Sequence, residues 1–227
     1  MIQDLQTENL SRRTFLARAW RYSTLAMMAM SFGNEVLAND REKGKSTALL
    51  YATRYGATRE TAEWIRKGIH AHVDLLDIER VSFPEVLAGY DRFIVGSGVW
   101  IRGVHGKVLE FLETGRDRLD GRLLATFIVC GSADGSETGK QRTEYYLNAM
   151  HASLASKPPM SMAFGGRLVV EHLSEVDRNA LAAFYQRYLH DQLRDWDRTD
   201  PAKAGNFGKD VDALLGQARH VPLLEGV

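Results

Sequence analysis

The feature that most constrains this chain is an apolar segment that runs through a short glycine- and threonine-containing turn into a helical pattern, ALLYATRYGATRETAEWI at residues 48–65. Residues 49–51 predict a buried strand, and Gly56 supplies a turn residue that adopts positive φ. Thr58 predicts the helix N-cap. The free N–H groups and positive dipole end of such a helix, with the hydroxyls of Thr53 and Thr58, form a cradle for phosphate. An ordinary strand-to-helix turn capped by threonine is the alternative.

The rest of the chain alternates between apolar runs and helical patterns. Further strands are predicted at residues 73–78, 92–97, 123–131 and 160–164. Helices are predicted at residues 60–70, 107–113, 143–154, 175–189 and 211–218, with a loop at 203–210. Strands that alternate with helices predict an α/β fold, here a doubly wound parallel sheet of five strands with helices on both faces.

Ligands of such sheets bind at the carboxyl ends of the strands, where the strand order reverses. The loops that follow the first, third and fourth strands, at residues 53–58, 96–103 and 131–135, are rich in glycine or hydroxyl residues. The candidate ligand-binding residues in these loops are Thr53, Arg54, Tyr55, Gly56, Ala57, Thr58, Ser97, Gly98, Val99, Trp100, Gly131, Ser132, Ala133 and Asp134.

The first loop has neither the spacing of a Walker loop nor that of a dinucleotide-binding fingerprint. Residues 53–58 instead resemble the Thr-x-Thr-Gly-x-Thr loop of flavodoxins, which holds the phosphate of FMN. Three of the four motif positions match, and Tyr55 replaces the middle hydroxyl residue. The resemblance implies a flavodoxin-like fold and FMN as cofactor, with the flavin ring between the loops after the third and fourth strands.

Within the flavodoxin-like proteins, the chain most resembles the flavodoxin domain of the menaquinone-dependent protoporphyrinogen oxidase family, through residues 53–60, 96–105 and 164–168. Trp100 stands where that family often has a polar or basic residue, so its substrate is not carried over. In other flavodoxins a tryptophan in this loop stacks on the flavin ring, which implies the same role for Trp100. Packing on a neighbouring element is the alternative.

Several polar side chains are candidates for chemistry beside the ring. His105, predicted one turn into a helix, is the candidate catalytic residue because histidine exchanges protons near neutral pH. A surface or capping role is the alternative. Asp134 either accepts a hydrogen bond from the ring edge or caps a turn. Arg54 and Arg59 either offset the phosphate charge or face solvent.

Composition limits the classes of partner. The 29 basic and 29 acidic residues balance, which excludes a nucleic-acid footprint and favours an enzyme over a strongly acidic electron carrier. The single cysteine, Cys130, excludes an intramolecular disulfide and is expected to be a buried, inert thiol. The histidines show no metal-ligand spacing, so no metal site is predicted.

The N-terminal region predicts export. Ser11, Arg12, Arg13, Phe15 and Leu16 match the twin-arginine pattern. An apolar stretch that is too short for a transmembrane helix of about 20 residues follows this pattern. The predicted leader is residues 1–38, the linker 39–46 and the flavodoxin-like domain 47–227. The twin-arginine translocase moves folded proteins, which suits a tightly bound cofactor and a periplasmic location. An amphipathic N-terminal helix is the alternative.

The sequence therefore predicts an exported FMN-dependent oxidoreductase that passes electrons from a small donor to a quinone or a redox partner protein, with contact to a membrane surface left open. A flavodoxin-type electron carrier and a flavin-free binding module are the alternatives. Protoporphyrinogen oxidation is a specific version of the first reading, although export from the cytoplasm, where haem intermediates are made, argues against it.

Overall fold

Five parallel strands form the central sheet of residues 46–218, the part of the chain that the computed structural model describes. The predicted leader and residues 39–45 of the predicted linker lie outside the described residues. The strands are β1 (Thr47–Ala52), β2 (Val73–Asp77), β3 (Arg92–Trp100), β4 (Gly103–Val104), β5 (Leu123–Cys130), β6 (Met160–Gly165), β7 (Arg167–Leu168) and β8 (Trp196–Asp197). The helices are α1 (Ala57–Lys67), α2 (Phe83–Gly89), α3 (Gly106–Thr114), α4 (Arg116–Leu119), α5 (Glu137–His151), α6 (Glu175–Phe184) and α7 (Pro201–Ala218).

The strand order of the main sheet is β2-β1-β3-β5-β6, and every neighbouring pair in that order is parallel. The chain leaves β1 for β2 on one side and then crosses to β3 on the other, so the order reverses at β1. This confirms the predicted doubly wound, five-stranded parallel sheet. The short strand β4 adds an antiparallel hairpin to the end of β3, and β7 pairs with β8 in a separate two-stranded sheet.

Helices cover both faces of the sheet, which explains the continuous apolar runs of the central strands. All six residues of β1 and all eight of β5 are buried. On one face, α1 and α7 pack against the sheet through residues such as Ile65 and Phe207. On the other face α2, α3, α4 and α5 contribute a second cluster that includes Phe111 and Met150. Strands buried on both faces need apolar side chains at successive positions rather than at alternate ones.

The predicted loop at residues 203–210 is wrong, because these residues belong to α7. Asp200 accepts a hydrogen bond from the Lys203 N–H at 2.8 Å, and Pro201 occupies the first helical position. Gly208, one of the two glycines that suggested a loop, allows α7 to approach α1. A β-carbon at Gly208 would collide with the carbonyl oxygen of Ile65.

Residues 166–198 form an excursion between β6 and α7, named here the cover segment. It contains β7, a 3₁₀ turn (Val170–His172), α6, a π turn (Tyr185–Leu189) and β8. The single predicted helix at 175–189 is therefore α6 followed by a π turn. The cover segment has its own buried leucines, Leu168, Leu173 and Leu181. None of the described helices is long and apolar enough to cross a membrane.

Candidate functional site

The turn between β1 and α1 presents hydrogen-bond donors at the carboxyl edge of the sheet and is called the cradle here. Gly56 has φ +93°, a conformation that favours glycine, and its N–H donates to the Thr53 hydroxyl at 3.0 Å. The helix begins at Ala57 with Gly56 as N-cap and no side-chain cap. The predicted N-cap role of Thr58 is therefore wrong, because the left-handed turn at Gly56 brings the helix start forward by two residues.

The donors of the cradle have no protein acceptor in the described part of the chain. Backbone N–H groups of Ala57, Thr58 and Arg59 in the first turn make no hydrogen bond there, and neither does the Thr58 hydroxyl. The Thr53 hydroxyl accepts from Gly56 and keeps its own proton for donation. Three N–H groups, two hydroxyls and a helix N-terminus match the oxygen atoms of a phosphate group, so the residues present fit one.

The two side chains at the tip of the cradle turn away from it. Arg54 donates to the Asp177 carboxylate of α6 in a bidentate pair, from Nε at 2.8 Å and from Nη2 at 2.5 Å. The Tyr55 hydroxyl donates to the same carboxylate and accepts from the Ser174 N–H at 3.2 Å. The Arg54 guanidinium and the Tyr55 hydroxyl hold the pKa of the Asp177 carboxyl below its ordinary value. Tyr55 therefore does not replace the hydroxyl missing from the motif.

Arg59 is also engaged away from the cradle, because its Nε lies 3.0 Å from Glu63 one turn along α1. Neither Arg54 nor Arg59 is directed at the cradle. The groups that face the cradle are therefore neutral donors and the positive end of the helix dipole.

Residues 97–100 lie in β3, which corrects their predicted place in a loop. Flanking strands extend the ladder through this part of β3, because Ser97 pairs with Ala52 and Gly98 pairs with Val129. Val99 and Trp100 pair with β4 in a hairpin. The strand therefore carries Ser97, Gly98, Val99 and Trp100 past the cradle.

The Ser97 hydroxyl is used within the protein, where it closes the hairpin. It is fully buried, donates to the Gly98 carbonyl at 2.8 Å and accepts from the His105 N–H at 3.0 Å. Gly98 lies against the cradle, because a β-carbon there would come within 2.8 Å of the Thr58 hydroxyl oxygen.

Trp100 lies between the cradle and the cover segment. The guanidinium of Arg54 stands 5.1 Å from its ring centroid, and the Tyr55 ring is 5.8 Å away at a tilt of 43°. Trp100 also packs against the buried leucines of the cover segment. Its side chain is partly exposed.

His105 is the N-cap of α3 rather than a residue one turn into a helix. Gly103 and Val104, immediately before it, pair with β3 as β4, and the helix begins at Gly106. His105 Nε2 lies 3.4 Å from a carboxylate oxygen of Glu79, in the turn that follows β2. Its Nδ1 is buried and has no hydrogen-bond partner among the described residues.

The loop after β5 lies at the carboxyl edge of the sheet, and β5 is the neighbour of β3 there. Gly131, Ser132 and Ala133 are partly buried there, and Ala133 packs on the apolar cluster under α5. Asp134 accepts from the Ser136 N–H at 3.0 Å and from its hydroxyl at 2.7 Å. These bonds lower the pKa of Asp134 and give it the turn-forming role that was one of its two predicted interpretations.

Three residues of the cover segment, Trp196, Arg198 and Asp177, were missed by the sequence analysis. Trp196 lies over the loop after β5, where a β-carbon at Gly131 would come within 3.1 Å of its ring. Its Nε1 donates to the Tyr185 hydroxyl at 2.7 Å. Arg198 donates to the Gly131 carbonyl and stands 5.2 Å from the Trp196 ring centroid. Asp177, the partner of Arg54, lies 123 residues away along the chain.

No group of three or more metal-ligating side chains occurs within residues 46–218. Cys130 is buried at the end of β5, as predicted, and burial raises the pKa of its thiol.

A family model described as a flavodoxin domain matches residues 48–191. A flavodoxin, WrbA-like protein from Agrobacterium tumefaciens is 16% identical, over 77% of this chain and 99% of its own, with a TM-score of 0.43. Oxidised flavodoxin 1 from Bacillus cereus is 17% identical over 78% of this chain and 99% of its own, with a TM-score of 0.42. No protein among the curated sequences matches the chain.

Proposed function

Because this chain belongs to the flavodoxin-domain family, we propose that it is an FMN-dependent oxidoreductase. The observation that carries the proposal is the cradle between β1 and α1, whose N–H groups and hydroxyls lack protein acceptors within residues 46–218. The cradle lies at the β1/β3 reversal, where doubly wound sheets bind their ligands. When bound, FMN supplies a flavin ring that accepts and releases one or two electrons.

The cradle residues bind the phosphate in this proposal. Thr53 and Thr58 donate from their hydroxyls, and the first turn of α1 donates from its backbone N–H groups. Since neither Arg54 nor Arg59 points into the cradle, the phosphate charge is offset by the helix dipole and by hydrogen bonds. Each hydrogen bond to a charged group contributes about 1.5–3 kcal/mol.

The ring-binding residues are proposed from their place at the same edge. Trp100 provides an aromatic face beside the cradle, and the loop of Gly131–Asp134 bounds the edge of the sheet on the β5 side. His105 is the proposed proton donor, because its backbone N–H is bonded to the Ser97 hydroxyl of β3 and this places the residue at the same edge of the sheet. Proton delivery from His105 and stacking by Trp100 are separate proposals that single substitutions distinguish.

An absorbance spectrum of the full chain, purified without added flavin, tests the proposal. We expect flavin bands at one FMN per chain, released by acid as FMN rather than riboflavin. A colourless protein that also fails to take up added FMN contradicts the proposal and favours a flavin-free binding module.

Electron transfer to a quinone distinguishes the enzyme from a carrier. We propose a quinone or a redox protein as acceptor, and the test is steady-state oxidation of a reduced nicotinamide by menadione. Sustained turnover supports the enzyme. Exchange of electrons with a partner protein in stoichiometric amounts only, without turnover, supports a flavodoxin-type carrier.

Protoporphyrinogen oxidation is the narrower alternative, motivated by the resemblance through residues 53–60, 96–105 and 164–168. A chain that begins at residue 39, and therefore stays in the cytoplasm, is expected to rescue a strain that lacks this oxidase if the alternative holds. Failure to rescue, with soluble protein present, counts against it.

Export through the twin-arginine translocase to the periplasm is proposed from residues 11–16. Fusion of residues 1–45 to a reporter tests it, with Arg12 and Arg13 both replaced by lysine as the control. Retention of the unaltered fusion in the cytoplasm contradicts export. Contact with a membrane surface is tested in the same cells by fractionation.

A further inference from the structure

The two ends of the cover segment meet at one place. The Gly166 N–H donates to the Cys130 carbonyl at 3.2 Å, and the Arg198 N–H donates to the Gly166 carbonyl at 2.9 Å. Strands β7 and β8 pair with each other and extend no ladder of the main sheet. The segment therefore leaves and rejoins the domain at neighbouring positions. Its buried leucines belong to the residues between these two ends.

The far part of the cover segment is attached to the cradle by polar side chains. Asp177, in the first turn of α6, receives hydrogen bonds from Arg54 and Tyr55, which are consecutive residues of the cradle turn. Its side chain is only 8% exposed, whereas that of Arg54 is 53% exposed. One carboxylate thus fixes two neighbouring side chains of the cradle turn.

A second contact ties the base of the cover segment to the cradle helix. Arg167 of β7 donates to Glu60 at 2.5 Å, and Glu60 lies in the first turn of α1. The cover segment therefore holds both the loop and the first helical turn that provide the N–H donors. Arg198, at the other end of the segment, donates to the Gly131 carbonyl in the loop after β5.

We propose that residues 166–198 form a cover whose closure is coupled to occupancy of the cradle, with Asp177 as the positioning residue that transmits the coupling. The identity of the ligand rests on the proposed function, but the coupling requires only a phosphate group. An anion that orders the turn at residues 53–56 also orders Arg54 and Tyr55, and so stabilises their bonds to Asp177. Coupling of this kind is reciprocal, so a closed cover slows release of the bound phosphate compound.

Hydrogen exchange without any ligand tests the attachment first. Asp177→Asn keeps the shape of the side chain and removes its charge, and Tyr55→Phe removes only one hydroxyl. The control is Glu63→Gln, which breaks an exposed ion pair on α1 that does not involve the cover. We expect amide hydrogen exchange across residues 170–190 to be about tenfold faster in Asp177→Asn than in the unaltered protein, because a charged hydrogen-bonded pair is lost. We expect the exchange rate of the control to be unchanged. Equal exchange in all three proteins overturns the proposal.

Ligands test the coupling. Inorganic phosphate and, separately, FMN are expected to slow exchange of residues 170–190 in the unaltered protein, and less so in Asp177→Asn. FMN is expected to dissociate about tenfold faster from Asp177→Asn than from Glu63→Gln. If FMN does not bind but phosphate slows exchange, the proposed function fails and the coupling stands. If neither ligand changes exchange, or FMN leaves both variants at the same rate, the coupling is overturned.

Discussion

The hydroxyl of Thr58 in α1 lies against Gly98 of β3, so that a β-carbon at position 98 would come within 2.8 Å of its oxygen. The same β-carbon would lie 3.3 Å from the Ala52 carbonyl at the end of β1. On this line of contact only the Thr58 side chain separates the cradle helix from the backbone of β3. The absence of a side chain at Gly98 sets the distance between the start of α1 and β3. A substitution at Gly98 therefore tests the site without changing a residue of the cradle turn.

Gly98→Ala is expected to weaken FMN binding by about tenfold or more, because the new methyl group displaces Thr58 at a cost of about 1–3 kcal/mol. Fluorescence titration measures the affinity, and circular dichroism checks that the fold is retained. Gly106→Ala is the matched control, since a β-carbon there meets nothing within 4 Å. Equal affinities in the two variants would place the phosphate away from Thr58.

Two glycines in the same helix are expected to respond to alanine in opposite directions. Gly208→Ala forces a methyl group into the Ile65 carbonyl and should destabilise the domain by about 1–3 kcal/mol. Gly205→Ala meets nothing within 4 Å and should stabilise the helix by about 1 kcal/mol. Thermal unfolding measures both, at about 2–4 °C per kcal/mol for a domain of this size. A Tm change of the same sign in both variants would contradict the α1–α7 contact.

His151 is expected to make stability depend on pH. Burial, helped by the charge of Lys157, holds the pKa of His151 below its ordinary value, and its Nε2 lies 2.8 Å from the buried Thr126 hydroxyl. The unfolded chain therefore takes up this proton at about pH 6.5, before the folded chain does. The stability that His151 contributes is complete above that pH and is lost as the pH falls towards the lower folded pKa.

Urea unfolding between pH 5 and pH 8 measures this dependence. His151→Gln should reduce the slope of stability against pH below about pH 6.5, whereas His172→Gln, at an exposed position, should not. If the free energy of unfolding varies with pH in the same way in His151→Gln and in the unaltered protein, the pKa of His151 does not differ between the folded and unfolded states, which would contradict the prediction.

The five strands of the main sheet could be predicted because each carries its own apolar pattern, whereas the short elements α2, α4, β4, β7 and β8 carry none and were not predicted. The runs of β1 and β5 are apolar at successive positions, which is what a sheet covered on both faces requires. Gly56 marked the cradle turn for a local reason as well, since its positive φ is a property of that residue's own backbone.

Glycine misled the prediction where tertiary contacts decide the structure. Gly96 and Gly98 suggested a loop, yet β1 and β5 on either side extend β3 through them, and Gly96 lies on the Phe127 ring. Gly208 suggested a loop for the same reason and instead lies in a helix contact. A single sequence shows where a glycine lies but not which neighbouring group packs against it in the folded structure.

The attachment of Asp177 to the cradle could not be predicted, because its partners lie 122 and 123 residues away and pair through side chains alone. Position 177 has the local features of an ordinary helix first turn, with the Ser174 hydroxyl accepting from the Asp177 N–H at 3.2 Å. Trp196 likewise lies in a polar stretch without periodicity. These residues acquire their roles only when the cover segment folds back onto the loops of the sheet.

The central claim is that the cradle between β1 and α1 binds the phosphate of FMN. It is tested most directly by titrating flavin-free protein into FMN and, in parallel, into riboflavin, and following the quenching of flavin fluorescence. We expect one FMN per chain and an affinity for FMN at least about a hundredfold above that for riboflavin, as the loss of two or more charged hydrogen bonds requires. Equal affinities for the two flavins, or no binding of either, would contradict the claim.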